Sequence, residues 1–352
     1  MKSCVVHRFV NLCPPWRNVM RIKLIVLGIF MSLMVGSAIA QPPVVKPACD
    51  RACLEGYIDK YLDAMISKQV SPTLFAGDIK FTENGVKLPL GKEGLWYGMT
   101  GKGTYKFYIP DIETQQIAFI GTVKEGGSST SAKGGKPAEP TTVAVAIRLK
   151  IVNGLITEAE QLAIRPEQSL GGAAAKPAGG FGGTGDSVEK MGSPHPVFLE
   201  TIPENQRHTR EDLVRIGNYY FAALQRNDGK GYYPFTDDAV RFENGMTSCG
   251  LNREGVLVPG HCRENMATYG PVVSRIRDRR FVAIDRERGI AFAFGFFDHD
   301  TINWTWQIAE LFKIEGENIR RIEAVFHRCP YGMNSGWSTY EQGISEELQS
   351  IR

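Results

Sequence analysis

Arg241-Phe242-Glu243-Asn244-Gly245 reads as a short strand running into an Asn-Gly turn. The same pattern stands 160 residues earlier as Phe81-Thr82-Glu83-Asn84-Gly85. Working outward from these two stretches, the chain repeats itself. Each is preceded by an amphipathic helix, Tyr57-Ile58-Asp59-Lys60-Tyr61-Leu62 in one copy and Gly217-Asn218-Tyr219-Tyr220-Phe221-Ala222 in the other. Each is followed by a strand opening Ile-Ala-Phe, at Ile117 and at Ile290, and by a later strand holding Lys150-Ile151 or Lys313-Ile314. Each copy closes on a strand, Leu155 to Ile164 and Ile319 to His327. The Ile-Ala-Phe elements lie 173 apart, so the second copy has 13 more residues after its turn. The order predicts two copies of one α+β unit.

Local patterns support this. Trp304, Trp306, Ile308, Glu310 and Phe312 alternate with Thr305, Gln307, Ala309 and Leu311, as in a strand with two distinct faces. Glu211 to Asn227 reads as a helix, with Thr209 as its cap and Glu211 and Asp212 in its first turn. One long helix, one short strand and three long strands per copy suggest a curved antiparallel sheet wrapped around helices.

The first forty residues read as a leader. Basic Met20-Arg21-Ile22-Lys23 precedes the apolar run Leu24 to Val35 and an Ala38-Ile39-Ala40 ending. That is the secretory pattern, with cleavage before Gln41 and residues 1–19 as an upstream extension. The run is shorter than the roughly 20 residues of a spanning helix; an uncleaved anchor is the alternative. The whole chain carries a formal charge of +3. Residues 1–40 hold five Lys/Arg and no Asp/Glu, which leaves 36 basic against 38 acidic side chains in the remainder. No basic patch argues for nucleic acid. The layout expected is a signal peptide over 1–40, a first domain over 48–166, a Gly/Pro-rich linker over 167–206, a second domain over 207–340 and a tail over 341–352. The Gly-rich run within 167–187 should be mobile, and residues 124–142 should form a polar loop between two strands.

Export permits disulfides. Cys249 and Cys262 bracket a Gly-rich loop in the 13-residue insertion and form the favoured pair. Cys49 and Cys53 could bridge only with a distorted first helical turn, and both the bridged and free forms stay open. Cys329 is then left over. No CxxC, no HxxxH and no His-Cys cluster has zinc spacing, so no metal is expected.

With these elements in place, residues 50–165 and 207–335 resemble the SnoaL-like, nuclear-transport-factor-2-like superfamily in tandem. The helices, the Glu-Asn-Gly strand ends and the closing strands carry the likeness. Arg320-Arg321-Ile322-Glu323-Ala324-Val325-Phe326-His327, followed by Pro330-Tyr331-Gly332-Met333, is similar to a recurrent ending of uncharacterised exported bacterial members. The resemblance implies cone-shaped units, each with one apolar pocket, and two cones packed as an intramolecular pseudo-dimer. It names no reaction, since the fold hosts isomerases, dehydratases and binders alike. Proton transfer beside a carbonyl in such a pocket needs a base and an oxyanion donor.

His327 ends the closing strand on one face with Glu323 and Val325 and is a candidate base; a histidine bonded to backbone is the bland alternative. Glu243 and Asn244 stand near the catalytic carboxylate position of the resembled isomerases, although both copies also need their turn. Tyr219 is a candidate donor, and Tyr220, Trp304, Trp306, His261 and Glu323 are candidate ligand contacts, with ordinary core as the alternative for the aromatics. One of Tyr219 and Tyr220 should face inward. Asp298-His299-Asp300 marks a hairpin loop rather than a metal site. No nucleophile elbow, phosphate loop or dinucleotide fingerprint is present, so no cofactor is expected. The reading is a periplasmic or secreted, cofactor-independent lyase or isomerase acting on a small apolar or aromatic molecule in the second domain. It has no membrane partner once the signal is cleaved. A non-enzymatic binder and a structural pseudo-dimer are the rivals.

Overall fold

The computed structural model describes residues 48–126, 139–166, 185–226, 228–268 and 273–349. The expected signal peptide, most of the polar loop 124–142 and the Gly-rich part of the linker (167–184) lie outside the described residues.

The first copy runs α1 (Arg51–Ser67), β1 (Phe75–Glu83), β2 (Val86–Lys87), α2 (Leu95–Gly98), β3 (Met99–Asp111), β4 (Gln116–Glu125), β5 (Thr141–Val152) and β6 (Leu155–Ile164). After α3 (Gly185–Lys190), the second runs α4 (Arg210–Arg226), β7 (Phe235–Glu243), β8 (Met246–Cys249), α5 (His261–Thr268), β9 (Arg275–Asp285), β10 (Ile290–His299), β11 (Trp304–Glu315) and β12 (Asn318–Pro330), ending in α6 (Tyr340–Ile344). The two six-stranded sheets have the orders β2-β1-β6-β5-β4-β3 and β8-β7-β12-β11-β10-β9. One topology therefore occurs twice, as the repeat predicts.

The wholly antiparallel sheet is corrected. β1 joins β6 in parallel, and β7 joins β12 in parallel. Parallel neighbours need a long crossover, and in each copy the intervening strands supply it. Within the expected linker, residues 185–206 carry α3 and two short helical turns, and Val188, Val197 and Phe198 are buried there.

α4 begins where the sequence places it. The Thr209 hydroxyl accepts from the Asp212 amide at 3.1 Å, satisfying one of the unpaired donors of the first turn. The core has three parts. Leu54, Ile58, Tyr61 and Met65 of α1 pack on one face of the first sheet, and Leu213, Ile216, Tyr220 and Phe221 of α4 on one face of the second. The opposite faces share a third cluster that includes Tyr105, Ile120, Phe292, Leu311 and Val325. Alternation along β11 decides which core each residue serves. Ile308 and Phe312 meet α4, and Ala309 and Leu311 meet the other sheet. Full burial of each such side chain contributes about 1.5–3 kcal/mol.

Buried charge also joins the sheets. The Tyr105 hydroxyl donates to Glu323 at 2.5 Å. Arg280 donates to both oxygens of Glu160 at 2.9 and 2.7 Å. Cys249–Cys262 and Cys49–Cys53 are both disulfides, and Cys329 is free and buried. Among the described residues, no helix is long and apolar enough to cross a membrane.

Candidate functional site

Side chains two apart on a strand share a face. β7 thus brings Arg241 and Glu243 together on the side covered by α4, where Tyr220 meets them. The buried Arg241 guanidinium donates from Nη1 to the Tyr220 hydroxyl at 3.0 Å and to the Met266 sulfur at 2.7 Å, and from Nε to the Ser248 hydroxyl at 2.8 Å. Its Nη2 lies 3.4 Å from Glu243 Oε1. Glu243 Oε2 is buried and has no hydrogen-bond partner among the described residues. A buried acceptor left this way normally costs free energy.

Tyr220, Arg241 and Glu243 form the polar wall of a cavity. Leu224, Val273, Phe297, Trp306, Ile308 and Phe326 form its apolar wall. The void is about 10 Å³, room for roughly one water molecule. The Trp306 and Phe326 rings stack at a tilt of 34° with centroids 5.0 Å apart. Glu310 shares the β11 face of Trp306 and Ile308 and is fully buried. Burial pushes its carboxyl up to about 8, with the Arg241 charge opposing and the Glu243 charge adding to the shift.

The first copy shows the same place closed. Gln161 donates to Glu83 Oε2 at 2.8 Å, the Leu95 amide donates to the same oxygen at 2.7 Å, and Arg165 donates to Oε1 at 2.8 Å. The Tyr61 hydroxyl donates to Gln161 at 2.8 Å, and the Trp96 indole donates to Tyr61 at 3.3 Å. Each of these polar groups has a partner. In the second copy Ala324 occupies the register of Gln161.

Several expected site residues lie elsewhere. Asn244, a candidate donor, is a clasp: its side chain donates to Phe326 O and accepts from Phe326 N, at 3.1 and 2.9 Å. Asn84 does the same with Ala163, and both asparagines have positive φ. The turn has that residue in both copies, and its side chain is tied to the closing strand. His327 is not at a strand end, because β12 continues to Pro330. It sits on the face of Glu323 and Val325, which meets the first sheet rather than the cavity. Its Nε2 lies 3.0 Å from Gln307 Oε1, and desolvation pushes the imidazole down to about 4. Glu323 is committed to Tyr105, and burial raises its carboxyl to about 7. Tyr219 points away from Tyr220 and packs edge-on against Tyr232. Trp304 stacks under Arg328 at 3.8 Å. His261 accepts from the Gly250 amide at 3.1 Å and holds the stapled loop. Glu243, Tyr220 and Trp306 do line the cavity. Asp298 and His299 end strand β10, and Asp300 opens the hairpin turn that leads to β11. The His299 ring packs 4.4 Å from that of Trp306.

Sequence reasoning missed Arg241 and Glu310. Each had a signal. Arg241 stands two before Glu243, and Glu310 is a charge on an otherwise apolar strand face. No group of three or more His, Cys, Asp or Glu could hold a metal ion among the described residues.

Residues 206–326 match the model of a family described as Domain of unknown function (DUF8021). That match covers most of the second copy, from α4 to Phe326 of β12. No curated protein matches the chain. Among solved structures, it is similar to one titled "Crystal structure of a de novo designed protein with curved beta-sheet", at 12% identity and a TM-score of 0.26. The likeness covers 34% of this chain and 88% of that one.

Proposed function

We propose that the chain is an exported protein whose second unit handles a small molecule by general acid–base chemistry, and whose first unit supports it. In this reading each sheet curls around its helix as a cone of the SnoaL-like, nuclear-transport-factor-2-like kind. The observation that carries the proposal is the unpartnered, buried Glu243 oxygen on a cavity wall that also holds Arg241 and Tyr220. Glu243 takes the proton. Arg241 and Tyr220 donate to an oxygen that gains charge, and a fixed donor is worth most in a dry site of this kind. Glu310 stays protonated behind them at neutral pH, so that one guanidinium faces one carboxylate. The void is small, so in this reading it takes one oxygen-bearing group beside Glu243 and the rest of the molecule stays outside it. The reaction class is proton abstraction leading to elimination or isomerisation.

A second reading has its own observation. The protein's aromatic side chains nearly fill the cavity, which suits a purely structural unit.

The test starts from any small molecule that copurifies with the full chain, identified by mass spectrometry. Glu243→Gln should lower its turnover by at least about 100-fold while the variant still binds it, with Tyr219→Phe unchanged. Equal turnover by wild type and Glu243→Gln sinks the catalytic assignment. Binding without any turnover by the wild type leaves the binder.

A further inference from the structure

Residues 331–349 cross from one sheet to the other. Trp337 donates its indole N–H to Thr82 Oγ1 at 2.7 Å, and Lys80 and Arg148 of the first copy lie 4.1 and 4.6 Å from the centre of its ring. The Ser338 hydroxyl donates to Asp278 of β9. Arg277 donates to the carbonyls of Gly343 and Met333 at 2.9 and 2.7 Å. Further along, the segment joins the outer edge of β9. The Asp278 amide donates to Ser345 O at 3.0 Å and the Gln349 amide to Arg279 O at 2.9 Å, with a parallel bridge between Arg279 and Leu348. β9 ends its sheet, so this edge would otherwise be open to another strand.

Two features separate this segment from the rest of the core. Of residues 331–349, only Ser335 and Gly343 are buried. Beneath them Arg277, Asp278, Arg279 and Arg280 are all nearly inaccessible. The segment is thus held by polar and backbone contacts and one indole, with little apolar burial of its own. That places it at the easily opened end of local stabilities. Its charge is complementary to what it covers, since Glu341, Glu346 and Glu347 belong to a segment that pairs with the arginine-rich β9. Strand addition of this kind draws affinity from main-chain hydrogen bonds and specificity from a side-chain pocket.

We propose that the β9 edge, together with the Thr82, Lys80 and Arg148 cradle for Trp337, is a docking site for an acidic segment that carries α6 and whose last residues, 345–349, add along β9. It is filled in cis by residues 331–349 and open in trans to the same segment of a second copy. Exchange of an identical element between copies needs no new contacts. The cis segment dominates in dilute solution because its effective concentration is high.

The experiment uses the full chain and a fluorescent synthetic peptide of residues 331–349, read by anisotropy. Full-length Trp337→Ala should bind the peptide about tenfold more tightly than wild type does, because the cis competitor is weakened. The same peptide carrying Trp337→Ala should not bind. Absence of peptide binding to a folded Trp337→Ala chain overturns the proposal. Equal binding of a scrambled peptide of the same charge overturns the assignment of a second copy. If Trp337→Ala does not fold, hydrogen exchange of the wild type decides. Exchange of the Gln349 and Asp278 amides through local opening supports a releasable segment, and exchange only through global unfolding refutes it.

Discussion

Gln161 Nε2 donates to Glu83 Oε2 at 2.8 Å in the first copy, and the register that places Gln161 there places Ala324 beside Glu243 in the second. Both Glu83 oxygens are hydrogen-bonded, whereas Glu243 Oε2 has no partner among the described residues. Stability should therefore respond differently at the two sites. Gln161→Ala removes a partner from a buried carboxylate and should cost about 1–3 kcal/mol. Glu243→Gln loses no bond at Oε2 but leaves the buried Arg241 guanidinium without its carboxylate, and should cost more, about 3–5 kcal/mol. Urea unfolding of the two variants checks this, and equal losses would contradict it.

Glu310 and Glu323 set a pH dependence. Burial raises the first to about 8 and the second to about 7, with Arg241 and Tyr105 respectively among the opposing influences. An acid whose folded pKa is raised binds more protons in the native state than in the unfolded one. Its contribution is complete below about 4.5 and is lost as pH climbs through the folded value. His327, pushed down to about 4, opposes them up to about pH 6.5, so stability should fall between about pH 6.5 and pH 8, by at most about 1.4 kcal/mol for each tenfold change in the acids' dissociation constants on folding. The double variant Glu310→Gln, Glu323→Gln should flatten the profile in chemical denaturation. A wild-type profile that rises over this window would reverse the assignment.

The Cys249–Cys262 bridge closes a loop of sequence separation 13 and anchors the start of α5. Met266 of the same helix accepts from Arg241. Replacing both cysteines by serine should cost about 3 kcal/mol from loop entropy. It should also loosen Arg241 and weaken ligand retention. Thermal unfolding together with ligand binding tests both parts. Unchanged binding in the serine variant would separate the bridge from the site.

The shared apolar cluster and the Arg280–Glu160 pair predict that the two copies unfold together. Wild type should show one cooperative transition by calorimetry. Arg280→Met leaves Glu160 with Arg148 at 3.5 Å as a charge partner and should cost about 3 kcal/mol. Two resolved transitions in the wild type would show that the sheets fold independently.

The repeat, the Cys249–Cys262 bridge, the cap on α4 and the faces of β11 are all legible from spacing, because each follows from a local period or a short loop. Strand parity is no guide to Glu243, because Glu83 shares its face with Phe81 in one copy whereas Phe242 shares its face with Asn244 in the other. The closing strand is harder. Val325 and Phe326 are both apolar, so alternation alone does not say which face meets α4 and which meets the other sheet. Nothing local therefore keeps His327 off the cavity side, and only the shared cluster at Val325 places it opposite. The parallel pairing of β7 with β12 is a contact between distant segments and leaves no local signature. Asn244 is legible as a turn residue, and the turn proves to be its role.

Whether the cluster around Glu243 retains a small molecule is decided most directly by native mass spectrometry of the full chain, wild type beside Ala324→Gln. The substitution places in the second copy the side chain that closes the first. A small molecule should be bound to wild type and lost from Ala324→Gln. A molecule retained equally by both, or found on neither while the wild type is folded, would contradict the assignment.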